Sequence, residues 1–392
     1  MSTGNGRLAA AGAGIILRLL RESGAATIAE LMDRSGLSRS AVSHRLEVLL
    51  ERDLVTNGEG SSTGGRPPSL FEFNSKAGVV LVGGLGATHS RIAVMDLSGA
   101  VIVERAFDLD ISDGPEAVLG WVEDQFGQLL RTAKSKSEDV RGIGIGIPAP
   151  VEAASGKPVS PPIMPGWDGY AIPERLGRKW AVPVLVDNDV NVMALGEQRA
   201  HYPDIADLLF VKVGTGIGCG IVAAGQVLRG ADGSAGDIGH VPIAQAAGIP
   251  CSCGNAGCLE AVASGSAMAQ RLRAEGLETQ NARDVVRLVR AGDVRAIALV
   301  RESGRLIGEA LASAVNLFNP RVIVVGGDIA QADQHLLPGI KEFIYQRSLA
   351  LSTQHLRIVR SRLNDRAEIA GAATMVIDHI LLPEVVDRVI LA

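Results

Sequence analysis

Residues 79–99 read VVLVGGLGATHSRIAVMDLSG, and residues 209–226 read LFVKVGTGIGCGIVAAGQ. In each segment an apolar run typical of a buried strand is followed by a glycine-rich turn and a second apolar run. The recurrence of one hairpin pattern 130 residues further along the chain predicts two similar lobes, each a sheet with helices. A cleft between two such lobes is a natural ligand site, and glycine-rich turns allow backbone N–H groups to face a phosphate.

Three further segments predict strands that end near this cleft. Residues 142–147 alternate glycine and isoleucine, residues 184–197 pass from an apolar strand into a helix, and residues 321–328 end in a Gly-Gly turn. The second segment crosses Asp187-Asn188-Asp189, and polar groups at the end of a buried strand point into the cleft. Asn and Asp also cap helices, so a purely structural role for Asn188 and Asp189 stays open.

A cysteine cluster downstream of the second hairpin predicts a metal site. Three of the four cysteines, Cys251, Cys253 and Cys258, fall within eight residues, and His240 precedes them. Three thiolates and one imidazole make a closed tetrahedral set of the kind that holds structural zinc. The alternative is a reduced thiol cluster without metal, which such close spacing disfavours. The remaining Cys219 lies in an apolar run and is expected to be a small core residue.

The N-terminal segment predicts a separate head. Residues 1–12 are small and polar and are expected to form a disordered tail. Three helical patterns follow, in which Gly24 ends the first, Thr27 caps the second and Ser38 caps the third. Two short strand patterns around a Gly/Ser-rich loop come next. Residues 13–76 therefore predict a winged helix-turn-helix domain.

The third helix of the head carries short or cationic side chains near its N-terminal end, where a recognition helix contacts base edges and phosphates. The candidate DNA-binding residues on it are Ser38, Arg39, Ser40, Ser43, His44 and Arg45. A further candidate, Arg66, lies at the tip of the wing loop, where an arginine on a narrow finger can enter a minor groove. A protein-interaction module with a solvated cationic face is the alternative interpretation of the same helices.

Charge and hydropathy limit the classes of function. The 392-residue chain has a net charge of −5, which argues against broad nucleic-acid affinity, but residues 1–76 carry about +1 and the remainder −6. A near-neutral head on an acidic body is compatible with DNA binding through the head alone. No apolar stretch is long enough for a membrane span, and no secretory signal pattern is present. We therefore expect a cytoplasmic protein in a reducing compartment, with no membrane partner.

The combination of these features resembles the ROK family, named for repressors, open reading frames and kinases. The most specific segment is Gly230-x5-Gly236-Asp237-Ile238-Gly239-His240, followed by the cysteine cluster and Glu260. The resemblance extends from about residue 13 to residue 380. It implies an α/β body of two actin-like (ribonuclease H-like) lobes of the sugar-kinase type, joined to the winged helix-turn-helix head of the family's regulators.

This resemblance divides the chain into four parts. The tail is followed by the head at residues 13–76, a first lobe at residues 77–190 and a second lobe at residues 191–392, which contains the zinc loop. An apolar helix at residues 367–381 is expected to pack back on the first lobe.

The resemblance also implies which functional residues are kept. Family kinases carry Asp-x-Gly-Gly-Thr in the first hairpin, whereas the aligned run here is Gly84-Leu85-Gly86-Ala87-Thr88. The missing carboxylate removes a group that anchors Mg²⁺ near the phosphates, so sugar kinase activity is not expected. The implied ligand-binding set is Asn188, Asp189, His240 and Glu260, with Asp189 as a vestigial base. Ile163 and Asp237 replace the family's usual Asn and Glu, so the pocket is expected to hold a different sugar, a sugar phosphate, or nothing.

The sequence therefore predicts a DNA-binding transcriptional regulator of carbohydrate genes, most simply a repressor, with structural Zn²⁺ and a sugar-like effector. A two-fold protein reads a palindromic operator, so a homo-oligomer, either a dimer or a tetramer, is expected. Two alternatives stay open. One is a sugar kinase with an appended DNA-binding head, and the other is a regulator controlled by a protein effector.

Overall fold

The computed structural model describes residues 12–59 and 69–391 of the 392-residue chain. Most of the predicted tail, and the wing loop that carries Arg66, lie outside the described residues. Gly12, which the sequence placed in the tail, is the residue that precedes the first helix.

The described part of the head contains three helices and a two-stranded wing, as the sequence predicts. The helices are α1 (Ala13–Ser23), α2 (Ile28–Ser35) and α3 (Arg39–Glu51). The wing pairs β1 (Val55–Glu59) with β2 (Ser69–Phe73) in antiparallel register.

Local capping explains where these helices begin and end. Gly24 closes α1 with a positive φ of 75°, a conformation that favours glycine. Thr27 and Glu30 form a reciprocal capping box at the start of α2. The hydroxyl of Ser38 accepts the N–H of Ala41 at the start of α3. The capping positions predicted from the sequence are confirmed.

The first lobe contains a five-stranded mixed sheet within the described residues. Its strands are β3 (Val79–Leu85), β4 (His89–Asp96), β5 (Val101–Asp108), β6 (Val140–Ile147) and β7 (Val184–Asn188), in the order β5-β4-β3-β6-β7. The strands β3, β4 and β5 are antiparallel neighbours, whereas β6 and β7 run parallel to β3. Helix α4 (Pro115–Ala133) packs on β4 and β5, and α5 (Ile172–Trp180) packs beside β7.

The second lobe repeats this topology. Its described strands are β8 (Leu208–Val213), β9 (Ile217–Ala223), β10 (Gln226–Val227), β11 (Val322–Gly326) and β12 (Arg357–Arg360), in the order β10-β9-β8-β11-β12. The first three are again antiparallel, and β11 and β12 join in parallel. The remaining described α-helices are α6 (Asp189–His201), α7 (Glu260–Ala263), α8 (Gly265–Ala274), α9 (Ala282–Arg290), α10 (Val294–Phe318), α11 (Asp333–Arg347), α12 (Ala350–Thr353), α13 (Ala367–Ile380) and α14 (Pro383–Leu391). The predicted duplication of the lobe is confirmed.

Two helices lie against each other between the sheets. Helix α6 packs on β8 and β9, whereas α13 packs on β3 and β6. A Cβ on Gly144 of β6 would lie 2.3 Å from the carbonyl oxygen of Ala372, and a Cβ on Gly220 of β9 would lie 2.4 Å from that of Val190. Glycine at these strand positions therefore admits a helix backbone at close range, which a larger residue would prevent.

The head shares a hydrophobic core with the first lobe and the C-terminal helices. Ile16 and Leu20 of α1, Val80 of β3, Ile377 of α13 and Val386 of α14 belong to one buried cluster. A continuous core of this kind means that the head is packed on the body rather than only tethered to it.

Helix α14, which the sequence did not predict, joins the two ends of the chain. The carboxylate of Asp387 accepts the N–H groups of Gly12 and Gly14 at 2.7 and 2.8 Å. The cap residue of α1 is a glycine with no side chain to offer, so α14 supplies the anion that stabilises this helix N-terminus.

Among the described residues, no single helix is long and apolar enough to cross a membrane. The segment Asn364–Ile380 and α14 reach the required length and composition only when taken together, across a bend of 56°.

Candidate ligand cleft, metal cluster and DNA-binding face

The turn from β7 into α6 carries the polar residues that were predicted to face the cleft. Asn188 is the N-cap of α6, and its Oδ1 accepts the N–H groups of Val190 and Asn191 at 3.0 and 3.4 Å. Its Nδ2 donates to the carbonyl oxygen of Ala149 at 3.0 Å. Both ends of the amide are therefore engaged by backbone, which is the capping role that the sequence left open. A ligand hydroxyl could use only the hydrogen-bonding capacity of the Asn188 amide that these contacts leave free.

Asp189 is paired with a lysine of the second lobe. The Nζ of Lys212, on β8, donates a hydrogen bond to Oδ2 of Asp189, and the side chains are 21% and 4% exposed. Burial alone would lower the pKa of Lys212, but the carboxylates of Asp189, Glu368 and Asp328 together raise this pKa above its usual value. A charged ammonium is therefore held against the residue that the family resemblance implies to be the base.

Glu368, near the start of α13, fills the space beside the first hairpin. A Cβ on Gly84 would lie 2.6 Å from Cδ of Glu368, and a Cβ on Gly146 would lie 2.7 Å from its Oε1. That Oε1 is buried and has no hydrogen-bond partner among the described residues. Burial, and then the charge of Asp189, raise the pKa of Glu368 to about 8. A carboxyl group supplied by α13 thus stands where a side chain at position 84 would lie.

Close packing explains the glycines at two positions of the second lobe, Gly216 and Gly326. A Cβ on Gly216 would lie 2.4 Å from Oε2 of Glu260, and a Cβ on Gly326 would lie 2.4 Å from the ring of Phe210. Neither position has room for a side chain, so these glycines are not by themselves a sign of a nucleotide site.

A second ion pair joins the lobes beside the same turn. The guanidinium of Arg229, which follows β10, donates to Oδ2 of Asp187 through Nε at 2.8 Å and Nη2 at 2.7 Å. The Asp187 side chain is 6% exposed, and its Oδ1 accepts Nδ2 of Asn191 at 3.1 Å. Charge-assisted bonds with two donors are among the stronger polar contacts in proteins, so this pair stabilises the observed arrangement of the lobes.

Glu260 lies at the same end of β9 as the Asp189 turn. Its Oε2 accepts the N–H of Ile217, the first residue of β9, at 2.9 Å. A Cβ on Gly218, the next residue of that strand, would lie 2.8 Å from the side chain of Val190. The structure therefore brings Glu260 and the first turn of α6 to one strand end, as a shared ligand site requires.

The predicted metal ligands form one cluster. The ligand atoms of His240, Cys251, Cys253 and Cys258 all lie within 4.8 Å of one another. Sγ of Cys251 is 3.6 Å from Nδ1 of His240, and Sγ of Cys253 is 3.8 Å from Sγ of Cys258. A tetrahedral zinc ion with metal–sulfur bonds of about 2.3 Å has sulfur–sulfur edges of about 3.8 Å. The donor atoms are therefore spaced to hold a metal ion.

Two features of this cluster bear on metal binding: the protonation of Cys258 and the orientation of His240. Burial and the neighbouring thiols raise the pKa of Cys258 to about 12, so metal coordination is what would keep it a thiolate near neutral pH. The second ring nitrogen of His240, Nε2, lies 3.9 Å from Oδ1 of Asp237. With Nδ1 directed at Cys251, Nε2 is left available on the other side of the ring.

The predicted DNA-binding residues differ in their exposure and in their hydrogen bonds within the protein. Ser38 caps α3 and its hydroxyl lies 3.1 Å from that of Ser40, while Arg39 and Ser40 are exposed. Ser43, His44 and Arg45 are half-buried, His44 lies 3.6 Å from the carboxylate of Glu47, and Arg45 donates to the carbonyl oxygen of Ala41 at 3.1 Å. The exposed N-terminal end of α3 is therefore the part of this helix most accessible to a duplex.

The fold and the geometry of the site together define a class of protein that has an actin-like body of the sugar-kinase type and a DNA-binding head. Residues 83–379 match the ROK family, and residues 15–56 match the winged helix-turn-helix DNA-binding family. The chain therefore belongs to the ROK family.

Its relatives include both regulators and kinases. The xylose repressor of Caldicellulosiruptor bescii is 31% identical over 369 residues, which are 90% of this chain and 91% of the relative. The crystal structure of a ROK family transcriptional regulator, a homolog of the E. coli MLC protein, has a TM-score of 0.82 and 28% identity over 98% of this chain and 99% of that one. The ROK hexokinase of Thermus thermophilus has a TM-score of 0.60 and 30% identity, and it covers 75% of this chain and 96% of its own.

Three residues at the cleft were not singled out from the sequence: Lys212, Glu368 and Arg229. Lys212 is the only charge in the apolar run LFVKV, and Glu368 interrupts the apolar start of a helix. A charged residue inside an otherwise buried element is rare unless it is paired, and that is the signal by which Lys212 and Glu368 could have been found.

Proposed function

We propose that this chain is a transcriptional repressor of carbohydrate genes, which binds operator DNA through its head and a sugar or sugar phosphate between its lobes. One observation carries the proposal. A winged helix-turn-helix head shares a hydrophobic core with a sugar-kinase-type body, and in that body the vestigial base, Asp189, is hydrogen-bonded to Lys212. The full-length relatives named as a xylose repressor and a transcriptional regulator support the same function.

The proposed sugar site consists of Asn188, Asp189, His240 and Glu260. Carboxylate and amide groups suit a polyol because each can make two hydrogen bonds to neighbouring hydroxyl groups. Support comes from Glu260 and the Asp189 turn, which flank one end of β9, and from Nε2 of His240, which faces away from the thiols. Pentoses and hexoses are the ligand class to examine first.

Phosphoryl transfer is not part of the proposed function. The reaction needs an available base for the sugar hydroxyl and Mg²⁺ held beside the phosphates. Lys212 is bonded to Asp189, and the carboxyl group of Glu368 fills the space beside Gly84. We therefore propose a protein that binds its sugar rather than one that phosphorylates it.

We infer that the metal is Zn²⁺ and that it is structural. Three thiolates and one imidazole complete a tetrahedral shell and leave no position for a substrate. A bound ion would tie His240 to the loop at residues 251–258 and hold the imidazole in one orientation beside the sugar site.

We further propose that the chain acts as a homo-oligomer, a dimer or a tetramer, on a palindromic operator. The exposed end of α3 would enter the major groove. The proposed contacts are Arg39 and Ser40, with Ser38, Ser43, His44 and Arg45 beside them and Arg66 on the wing. Because a repressor acts on the chromosome, a cytoplasmic location is part of this proposal.

The test begins with selection of an operator from random DNA duplexes, followed by affinity measurements with and without sugars. Arg39→Ala is expected to weaken operator binding roughly 10-fold, since a lost base contact costs about 1–3 kcal/mol. Arg301→Ala removes an exposed arginine of α10 on the body and serves as the matched control. D-xylose or a related sugar is expected to lower operator affinity. A sugar that binds without that effect contradicts the ligand response, and no binding across the panel favours a protein effector.

A further inference from the structure

We propose that Lys212 is an internal competitor of the ligand: its ammonium occupies Asp189 in the unliganded protein and is displaced when a sugar binds. The inference rests on the proposed function, in which Asp189 contacts the sugar. It adds the residue that sets the affinity of that contact.

The order of burial supports competition. The Asp189 side chain is 4% exposed, whereas the Lys212 side chain bonded to it is 21% exposed. The Asp189 carboxylate is therefore the more deeply buried partner of this ion pair. A ligand hydroxyl that bonds Oδ2 of Asp189 must take the place of the Lys212 ammonium.

A displaced ammonium has other acidic groups around it. The charges of Glu368 and Asp328 both act on Lys212, and Oε1 of Glu368 has no hydrogen-bond partner among the described residues. The four-carbon stem of lysine is flexible and carries three donors. Lys212 can therefore exchange Asp189 for Glu368 as its hydrogen-bond acceptor, and the sugar hydroxyl groups would then donate to the buried carboxylate of Asp189.

The exchange has a consequence for ligand affinity. A sugar that bonds Oδ2 of Asp189 replaces a charge-assisted bond, so part of its binding free energy is cancelled. Lys212 thereby raises the sugar concentration at which the cleft fills. Removal of the ammonium should tighten sugar binding, which is the opposite of what removal of a direct ligand contact does.

The experiment compares the full-length protein with Lys212→Met and Lys212→Gln, using D-xylose, D-glucose, N-acetylglucosamine and glucose 6-phosphate as probes in calorimetry. Lys212→Met is expected to lower the Kd of the best probe about 10-fold or more, the scale of one charged hydrogen bond. Lys212→Gln retains a neutral hydrogen-bond donor, so its Kd is expected to lie between those of the natural protein and Lys212→Met. Lys136→Met is the matched control, because Lys136 also pairs with a carboxylate, that of Glu138 at 3.1 Å, but on the surface.

A second measurement needs no variant and therefore does not depend on how well a Lys212 substitution folds. Amine-reactive labelling of the natural protein, read by mass spectrometry, is expected to modify Lys212 several-fold faster when a saturating probe has displaced it. An unchanged labelling rate, or an equal or higher Kd in both variants, would overturn the inference and leave the proposed function intact. If no probe binds the natural protein or the variants, the sugar-binding part of the proposed function fails, and the inference fails with it.

Discussion

At the scale of single residues, Glu368 is a group whose ionisation is strongly changed by the fold. Its carboxyl group is buried over Gly84 and Gly146, and burial and the nearby Asp189 raise its pKa to about 8. A carboxyl group with a raised pKa in the folded protein binds its proton more tightly there than in the unfolded chain. Its contribution to stability is therefore full below its usual pKa of 4.5 and is lost as the pH rises toward 8.

This dependence of stability on pH gives a prediction for the variant Glu368→Gln, whose side chain keeps its shape but cannot ionise. Between about pH 5 and pH 8 the natural protein should lose stability relative to the variant, by on the order of 1–3 kcal/mol. Urea unfolding of both proteins at several pH values measures the difference. Glu384→Gln, at an exposed position of α14, is the control and should show no such trend. A difference between Glu368→Gln and the natural protein that stays constant with pH would contradict the assignment.

At the scale of elements, the sequence predicted the features that depend on neighbours along the chain. Gly24, Thr27 and Ser38 act on helices within four residues of themselves, and the turn of each lobe's hairpin is equally local. Helix α14 was missed because its partner is at the other end of the chain, with Asp387 bonded to Gly12 across 375 positions. Only tertiary structure shows such a contact.

The residues of the candidate site also divide into those that could be grouped from the local sequence and those that only the tertiary structure brings together. His240 and the cysteines could be grouped from their spacing, because a short loop is enough to bring them together. The meeting of Glu368 with Gly84, and of Lys212 with Asp189, follows from how α13 and α6 pack between the sheets. No local pattern encodes these distances, although the charges themselves were visible.

The zinc loop is the element whose ligand set can be tested directly. Cys253→Ala removes one of four donors, so we expect the protein to release most of its metal, because structural zinc needs the closed shell. Sugar response should weaken, since His240 would no longer be held, while operator binding without sugar should persist. Metal content is measured by elemental analysis after dialysis. Cys219→Ala, at a buried cysteine of β9 outside the cluster, is the control. Full metal content in Cys253→Ala would refute the assigned ligands.

At the scale of the whole molecule, one helix contacts both the ligand cleft and the DNA-binding head. Helix α13 has Glu368 at its cleft end and Asp378 near its other end, and ten residues of helix span about 15 Å. The carboxylate of Asp378 accepts Nη2 of Arg21 in α1 at 3.2 Å and Nη2 of Arg199 in α6 at 2.7 Å. A shift of Lys212 toward Glu368 would act on the same helix that holds the head.

This arrangement predicts that Asp378→Ala separates DNA binding from the sugar response. The side chains of Arg21, Asp378 and Arg199 are 24%, 41% and 53% exposed, so loss of their ion pairs should change stability by less than about 1 kcal/mol. Operator affinity without sugar should stay within about twofold of that of the natural protein. The factor by which sugar lowers operator affinity should shrink several-fold, because substitutions between two coupled sites change the coupling free energy by on the order of 0.5–2 kcal/mol. The readout is the ratio of operator affinities with and without a saturating sugar. Glu302→Ala breaks a comparably exposed pair with Arg271 on the second lobe and should leave that ratio unchanged. If Asp378→Ala also leaves the ratio unchanged, α13 does not carry the signal through this contact.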